Sequence, residues 1–178
     1  MRIVAGTLGG RRIAGPPGRS RAVRPTSDRA REAIFAMLGD VSGLRVLDLF
    51  CGSGALALEA ISRGAAAATL VDTDAELARR NVAALGVSAR CRVVRADALA
   101  YLRRPGPRFD LIFCDPPYRL AHRLEGELSK LLPGRLEAEG RVIVESSARR
   151  PLALAWPPAR ERRYGEALIR IYEGGVAG

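Results

Sequence analysis

Two short segments carry residues whose types and spacing could do chemistry. In the first, Asp48-Leu49-Phe50-Cys51-Gly52-Ser53-Gly54, an apolar run ends on a carboxylate and then on two glycines, which let a ligand approach the backbone and the start of a following helix. The second is Asp115-Pro116-Pro117-Tyr118, directly after the apolar run Phe109 to Cys114. A carboxylate inside the end of a buried strand costs desolvation free energy unless a cation or N–H group meets it. Asp48 therefore suits a ligand with an amino group and would repel a pyrophosphate. In the second segment the prolines stiffen the backbone, Asp115 and the Pro116 carbonyl supply two acceptors, and Tyr118 offers a flat face. Such a set fits an exocyclic amine on a heterocycle. Two acceptors on its N–H bonds hold a poorly nucleophilic nitrogen with its lone pair toward an electrophilic carbon. A base within paired or folded nucleic acid would have to swing out to reach it.

Plainer readings stand beside these. Gly52-x-Gly54-x-x-Ala57 also satisfies a dinucleotide-binding pattern, and Asp72 lies at the roughly 20-residue offset where an acid meets a ribose. That segment alone leaves an NAD enzyme and an S-adenosylmethionine (AdoMet) enzyme both open. Two prolines after a strand also make a rigid exit turn. His122 reads as a solvated helix residue. Cys51, Cys91 and Cys114 form no CxxC pair and are odd in number, so reduced thiols are expected, with neither a disulfide framework nor a metal site.

The elements that must position these segments follow from periodicity. Short apolar runs at Leu44 to Phe50, Thr69 to Val71, Arg92 to Val94, Phe109 to Cys114 and Arg141 to Glu145 read as strands buried on both faces. Helical stretches near 54 to 63, 74 to 85, 97 to 103 and 120 to 132 separate them, the second with its face at Leu77, Ala78, Asn81, Val82 and Leu85. Strict alternation of this kind predicts a doubly wound α/β sheet with right-handed crossovers and ligands beyond the carboxyl ends of the strands. Past Pro157-Pro158 no helix is evident, and Ala167 to Tyr172 alternates as a strand. A terminal hairpin with at least one antiparallel strand is expected. Ahead of the sheet, residues 2 to 7 and 11 to 14 look like a small hairpin around Gly9-Gly10, followed by a Pro/Gly/Arg-rich loop from Gly15 to Pro25. A helix then starts at Thr26-Ser27-Asp28, shows Ala30, Ala33, Ile34, Met37 and Leu38 on one face, and stops at Gly39.

At 178 residues, one such domain with an appendage fits, divided as a basic extension over 1–25 and a catalytic domain over 26–178. No window offers the apolar run of a membrane span or an export signal, and a cytoplasmic protein is expected. The net charge of +10 favours a polyanionic partner. Lys130 is the single Lys among 29 basic residues, and a GC-rich genome also raises Arg, so the distribution says more than the total. Residues 1 to 31 hold eight Arg against one acid, Asp28.

With these residues in place the chain resembles the RsmD family of bacterial methyltransferases, which modify the 2-amino group of one guanine in 16S ribosomal RNA. The resemblance runs almost end to end. It covers Arg2-Ile3-Val4-Ala5-Gly6, Arg24-Pro25-Thr26-Ser27-Asp28-Arg29 with Arg31-Glu32, Asp48 to Gly54 with Ala55-Leu56 and Glu59-Ala60, and Asp115 to Tyr118. It implies a mostly parallel seven-stranded, Rossmann-like sheet of the class I AdoMet-dependent kind, with a small N-terminal hairpin. It implies AdoMet contacts at Asp48, Phe50, Gly52, Ser53, Gly54, Asp72, Thr73, Asp97 and Ala98, with Asp72 on the ribose in place of the family's frequent Glu. Asp97 is equally suited to capping a helix. Asp115, Pro116 and Tyr118 would act on the guanine beside Pro117, and Arg11, Arg12, Arg19, Arg21, Arg24, Thr26 and Asp28 would face RNA. A monomer acting on 16S rRNA, within a 30S subunit or an assembly intermediate and with no metal or membrane partner, is the implied setting. Three alternatives remain: a DNA or other RNA amino-methyltransferase acting on adenine or cytosine, an assembly factor that binds RNA without catalysis, and an NAD oxidoreductase. The last lacks a His, Lys or Tyr-x-x-x-Lys candidate for hydride chemistry.

Overall fold

The structure, a computed structural model, describes residues 1–15, 28–117 and 119–174. Its centre is built from the apolar runs. Strand β1 (Arg45–Leu49) lies between β2 (Ala67–Asp72) and β4 (Phe109–Cys114), flanked by β3 (Cys91–Arg95) on one side and β5 (Leu136–Ser147) on the other. The seven-stranded sheet is completed by β6 (Arg160–Tyr164) and β7 (Ala167–Glu173), in the order β3-β2-β1-β4-β5-β7-β6. The first five strands pair in parallel, and β7 runs antiparallel to both β5 and β6.

Side chains alternate across the sheet with the two-residue period of a strand. Val46, Leu111, Phe113 and Ile143 point into one apolar layer with α1 (Asp28–Leu38), α2 (Ala55–Ser62) and α3 (Glu76–Leu85). Leu47, Leu49, Ile112, Cys114, Val142 and Val144 point into the other, with α4 (Ala98–Arg103) and α5 (Ala121–Leu131). Helices on both faces explain why these strands read as continuous apolar runs.

Strands β6 and β5 differ from the sequence reading. Strand β6 carries Arg160, Glu161, Arg162 and Arg163, all exposed, so it has no apolar signature; it is an edge strand, and its charges discourage pairing with another chain. Strand β5 starts five residues earlier than expected, and a register shift between Phe109 and Leu111 accommodates the polar stretch from Glu137 to Gly140.

The N-terminal residues form a narrower hairpin than two full strands. A single antiparallel bridge joins Arg2 and Arg12, supported by Ile3 N–H donating to Arg11 and Ile13 N–H to Met1. The first run spends its other N–H groups on helix α2: Val4 and Ala5 donate to the Glu59 carboxylate at 2.7 and 3.0 Å, and Leu8 donates to Ser62 Oγ at 2.9 Å. Ile3 and Ile13 are buried in the same apolar layer as α2. The guanidinium of Arg31, fully buried on α1, donates to the Arg2 carbonyl at 2.6 Å and to Asp28 at 2.7 Å.

Candidate active site

The site forms where the sheet changes direction of growth. Strand order reverses between β1 and β4, the point at which an open α/β sheet leaves a crevice beyond its carboxyl ends. In the paired register Asp48 sits opposite Phe113 and Leu49 opposite Cys114. Asp115 therefore follows directly beyond the strand beside β1, one strand spacing of about 4.8 Å away. Tertiary pairing thus brings together two motifs 67 residues apart in sequence.

Asp48 is 2% exposed, and one of its oxygens accepts from the Ala57 N–H of α2 at 3.1 Å. Burial pushes its carboxyl up to about 7; the Ala57 hydrogen bond opposes that rise and the charge of Asp72 adds to it. A cation beside a carboxyl buried in this way would favour its ionised form. Beyond it the chain turns sharply. Phe50 adopts a left-handed φ of 60°, which a non-glycine residue holds only where the surroundings enforce it. Gly54, at φ 78°, lies so close to Leu70 that a Cβ there would fall 2.6 Å from Leu70 Cδ2. At Gly52 a Cβ would meet nothing within 4 Å, so space is open beside that backbone.

Asp72, at the carboxyl end of β2, is aimed by three groups. Gly52 N–H donates to one of its oxygens at 2.9 Å, while Asp74 N–H at 3.0 Å and the Thr73 hydroxyl at 3.4 Å reach the other. Its link to Gly52 joins the first two candidate ligand contacts into one rim. Asp97 caps helix α4, its carboxylate accepting from Ala100 N–H at 2.9 Å, with Ala98 buried behind it. Asp115 is half-buried, Pro116 buried and Pro117 exposed. The Pro117 carbonyl accepts from Leu120 and Ala121, which turns the chain into α5. Tyr118, Arg19, Arg21, Arg24 and Thr26 lie outside the described residues.

On the hairpin, Arg12 is exposed and Arg11 has a structural occupation, its guanidinium donating to the Leu85 and Ala84 carbonyls that end α3, at 3.0 and 2.9 Å. Asp28 pairs with Arg31 and lines an open cleft of about 520 Å³ with Met1, Arg2, Gly10, Arg12 and Ile13. His122 is exposed beside Glu125. Burial raises the thiols of Cys51 and Cys114, and the cysteines are free. Among the described residues no cluster of three His, Cys, Asp or Glu could hold a metal ion, and no helix is long and apolar enough to cross a membrane.

Two buried polar residues were given no role in the sequence reading, which placed Asn81 on a helix face and Glu59 in a shared motif. Glu59 is fully buried in a helix whose neighbours are Ala, Leu and Ile, and it receives the hairpin N–H groups as well as Arg63 Nε at 2.8 Å. Asn81, the sole Asn of the chain, sits on the apolar face of α3. In both cases the available signal was a polar residue on a face otherwise given to the core.

The seven-stranded, mostly parallel sheet with its antiparallel end is that of the class I AdoMet-dependent methyltransferase fold. An RNA methyltransferase from Salinibacter ruber, solved with S-adenosyl-L-homocysteine, shares this fold at TM-score 0.65 and 17% identity over 84% of this chain and 93% of that one. The family model described as conserved hypothetical protein 95 matches residues 1–173. The chain belongs to that family, the RsmD methyltransferases. It is 37% identical over 182 residues to the ribosomal RNA small subunit methyltransferase D of Escherichia coli K12, covering 97% of this chain and 89% of the relative. A hypothetical protein of Thermus thermophilus, also of solved structure, matches at TM-score 0.82 and 32% identity, over 97% of this chain and 99% of that one.

Proposed function

We propose that this chain transfers the methyl group of AdoMet to the exocyclic N2 amine of one guanine in small-subunit (16S) ribosomal RNA. The observation that carries the reading is the pairing of β1 with β4, which sets the buried Asp48 and the Asp115-Pro116-Pro117 corner on neighbouring strands at the sheet's crevice. The names of the most similar relatives support the RNA substrate.

The residues present fit the cofactor. Asp48 is a buried carboxylate suited to an amino group, Gly52 leaves backbone open to a ligand, and Asp72 is held with its oxygens at the rim where ribose hydroxyls would bind. Phe50, Ser53, Thr73, Asp97 and Ala98 would complete the cofactor contacts. When bound, the cofactor supplies a methyl carbon made electrophilic by its sulfonium. Asp115 and the Pro116 carbonyl would accept the two N–H bonds of the guanine amine and aim its lone pair, and Tyr118 and Pro117 would cover the ring. Positioning provides most of the acceleration, so no strong base is needed before transfer. Transfer would form the N–C bond as the S–CH3 bond breaks with its electron pair left on sulfur as a neutral thioether, and the surplus proton on nitrogen would pass to Asp115 or water. Arg12 and Arg24 would contact phosphates, with Arg11, Thr26 and Asp28 near the incoming strand. The substrate is RNA within a 30S subunit or an assembly intermediate, and the protein acts as a monomer.

Incubation with methyl-tritiated AdoMet and small-subunit RNA or partly assembled subunits, followed by nucleoside analysis, tests this. Label is expected in N2-methylguanine, and Asp115→Ala should lose transfer by about 1,000-fold with AdoMet affinity retained. Label in adenine or cytosine would overturn the guanine assignment, and full activity of Asp115→Ala would remove Asp115 from the mechanism.

A further inference from the structure

In Asn81 one buried carboxamide joins three elements. It is 2% exposed on helix α3. Its Nδ2 donates to the Ser53 carbonyl and to the Ala14 carbonyl, each at 2.9 Å, and its Oδ1 accepts from Ala14 N–H at 2.8 Å. Only this orientation of the amide satisfies all three contacts, since a flipped amide would set oxygen against two carbonyls and N–H against N–H. Ser53 is the middle residue of the Gly52–Gly54 loop. Ala14 is at the base of the N-terminal hairpin, next to the basic segment that leads to α1.

We propose that Asn81 is a positioning residue that locks the cofactor loop and the N-terminal arm to each other. The inference rests on the reading that this loop receives AdoMet. With both carbonyls held by one NH2 group whose plane Ala14 N–H also fixes, turning the Ser53 peptide or shifting the arm alone would strand a buried N–H of Asn81 without its acceptor. The peptide orientation matters because Gly52 N–H, one residue earlier, holds Asp72, and Gly54 N–H, one residue later, donates to the Cys51 carbonyl at 2.7 Å. A rotated Ser53 peptide would therefore disturb the rim that is expected to bind the cofactor, although the hydrogen bonds of Asn81 itself go to backbone.

The arm has a second attachment that provides a control. Ser62 on α2 receives Leu8 N–H and donates to the Ala5 carbonyl, so it holds the arm to a helix rather than to the Gly52–Gly54 loop. Asn81→Asp keeps the shape of the side chain but replaces both N–H donors by an acceptor facing two carbonyls. Asn81→Ala removes the bridge without adding a repulsion. Each is compared with Ser62→Ala, as full-length protein, by calorimetric titration with AdoMet and by thermal melting.

Asn81→Asp is expected to weaken AdoMet binding about tenfold, and Asn81→Ala to weaken it severalfold. Ser62→Ala is expected to lower Tm about as much as Asn81→Ala does, while its AdoMet Kd stays within about twofold of wild type. An Asn81→Asp protein that folds and binds AdoMet within about twofold of wild type overturns the proposal. Should that variant fail to fold, Asn81→Ala decides by the same criterion. Equal weakening by Ser62→Ala also overturns it, because seating of the arm in general would then account for the effect. Wild-type protein that does not bind AdoMet would instead sink the cofactor reading itself, a failure visible before any variant is compared.

Discussion

Asp48→Asn should make the protein more stable and less able to bind its cofactor. The buried carboxyl has its pKa raised from 3.8 to about 7, chiefly by desolvation. A carboxyl with a raised folded-state pKa keeps its proton in the native state while the unfolded chain releases it. Its contribution to stability is therefore fully present below about pH 4 and is lost as pH rises to about 7. At about 1.4 kcal/mol for each pH unit, the loss approaches about 4 kcal/mol at pH 8, an upper figure because the site can relax and admit water. Asparagine has no charge to lose and its oxygen can still accept from Ala57 N–H. A gain of about 2 kcal/mol at pH 8 is expected, a rise in Tm of roughly 4 to 8 °C for a chain of this size. At pH 4 the two proteins should melt within about 2 °C of each other. AdoMet affinity should fall by at least about tenfold, since an ionic hydrogen bond to its amino group becomes a neutral one. Melting curves at the two pH values and calorimetric titration with AdoMet measure all three quantities. Equal Tm values at pH 8, or the same gain at both pH values, would refute the view that Asp48 is a desolvated carboxyl awaiting a cation.

Wild-type AdoMet affinity should rise with pH toward 7, as Asp48 ionises, and decline above about pH 8, where an α-amino group loses its proton; a flat profile in calorimetry contradicts this. Gly54→Ala should cost about 1 to 3 kcal/mol in chemical denaturation and weaken AdoMet binding, because φ is 78° and the new Cβ meets Leu70 Cδ2. Glu59→Ala leaves the Val4 and Ala5 N–H groups without their acceptor and should cost about 3 kcal/mol, with limited proteolysis cutting first in residues 1–15. Arg12→Ala should lower the salt slope of RNA binding by about one, whereas Arg11→Ala should lower Tm instead, since its guanidinium ends helix α3.

Much of this architecture was legible in the chain because it rests on local rules. Apolar runs such as Phe109 to Cys114, alternating with helices such as α3, leave few ways to fold other than a doubly wound sheet. The burial of Asp48 was readable for a similar reason. A carboxylate that ends an apolar run is carried into the core with the strand and is costly there without a partner. Edge strand β6 was not legible, because an edge needs backbone pairing with β7 and no apolar face; its four consecutive charged residues look like a loop in one dimension. The capping role of Asp97 and its candidate cofactor contact could not be separated by residue type alone, and the structure supplies the cap.

What the sequence determined by itself was the set of chemical groups and the elements carrying them, since helical and strand periodicity follow from the spacing of neighbouring residues. Only the tertiary structure decided which groups meet. The registration of β1 against β4 joins Asp48 to the Asp115 corner, the turn at Phe50 brings Gly52 to Asp72, and Glu59 and Asn81 become anchors once the hairpin lies on α2 and α3. These contacts depend on long-range packing, where a buried polar group must find a partner far along the chain, and no local pattern states which partner that is.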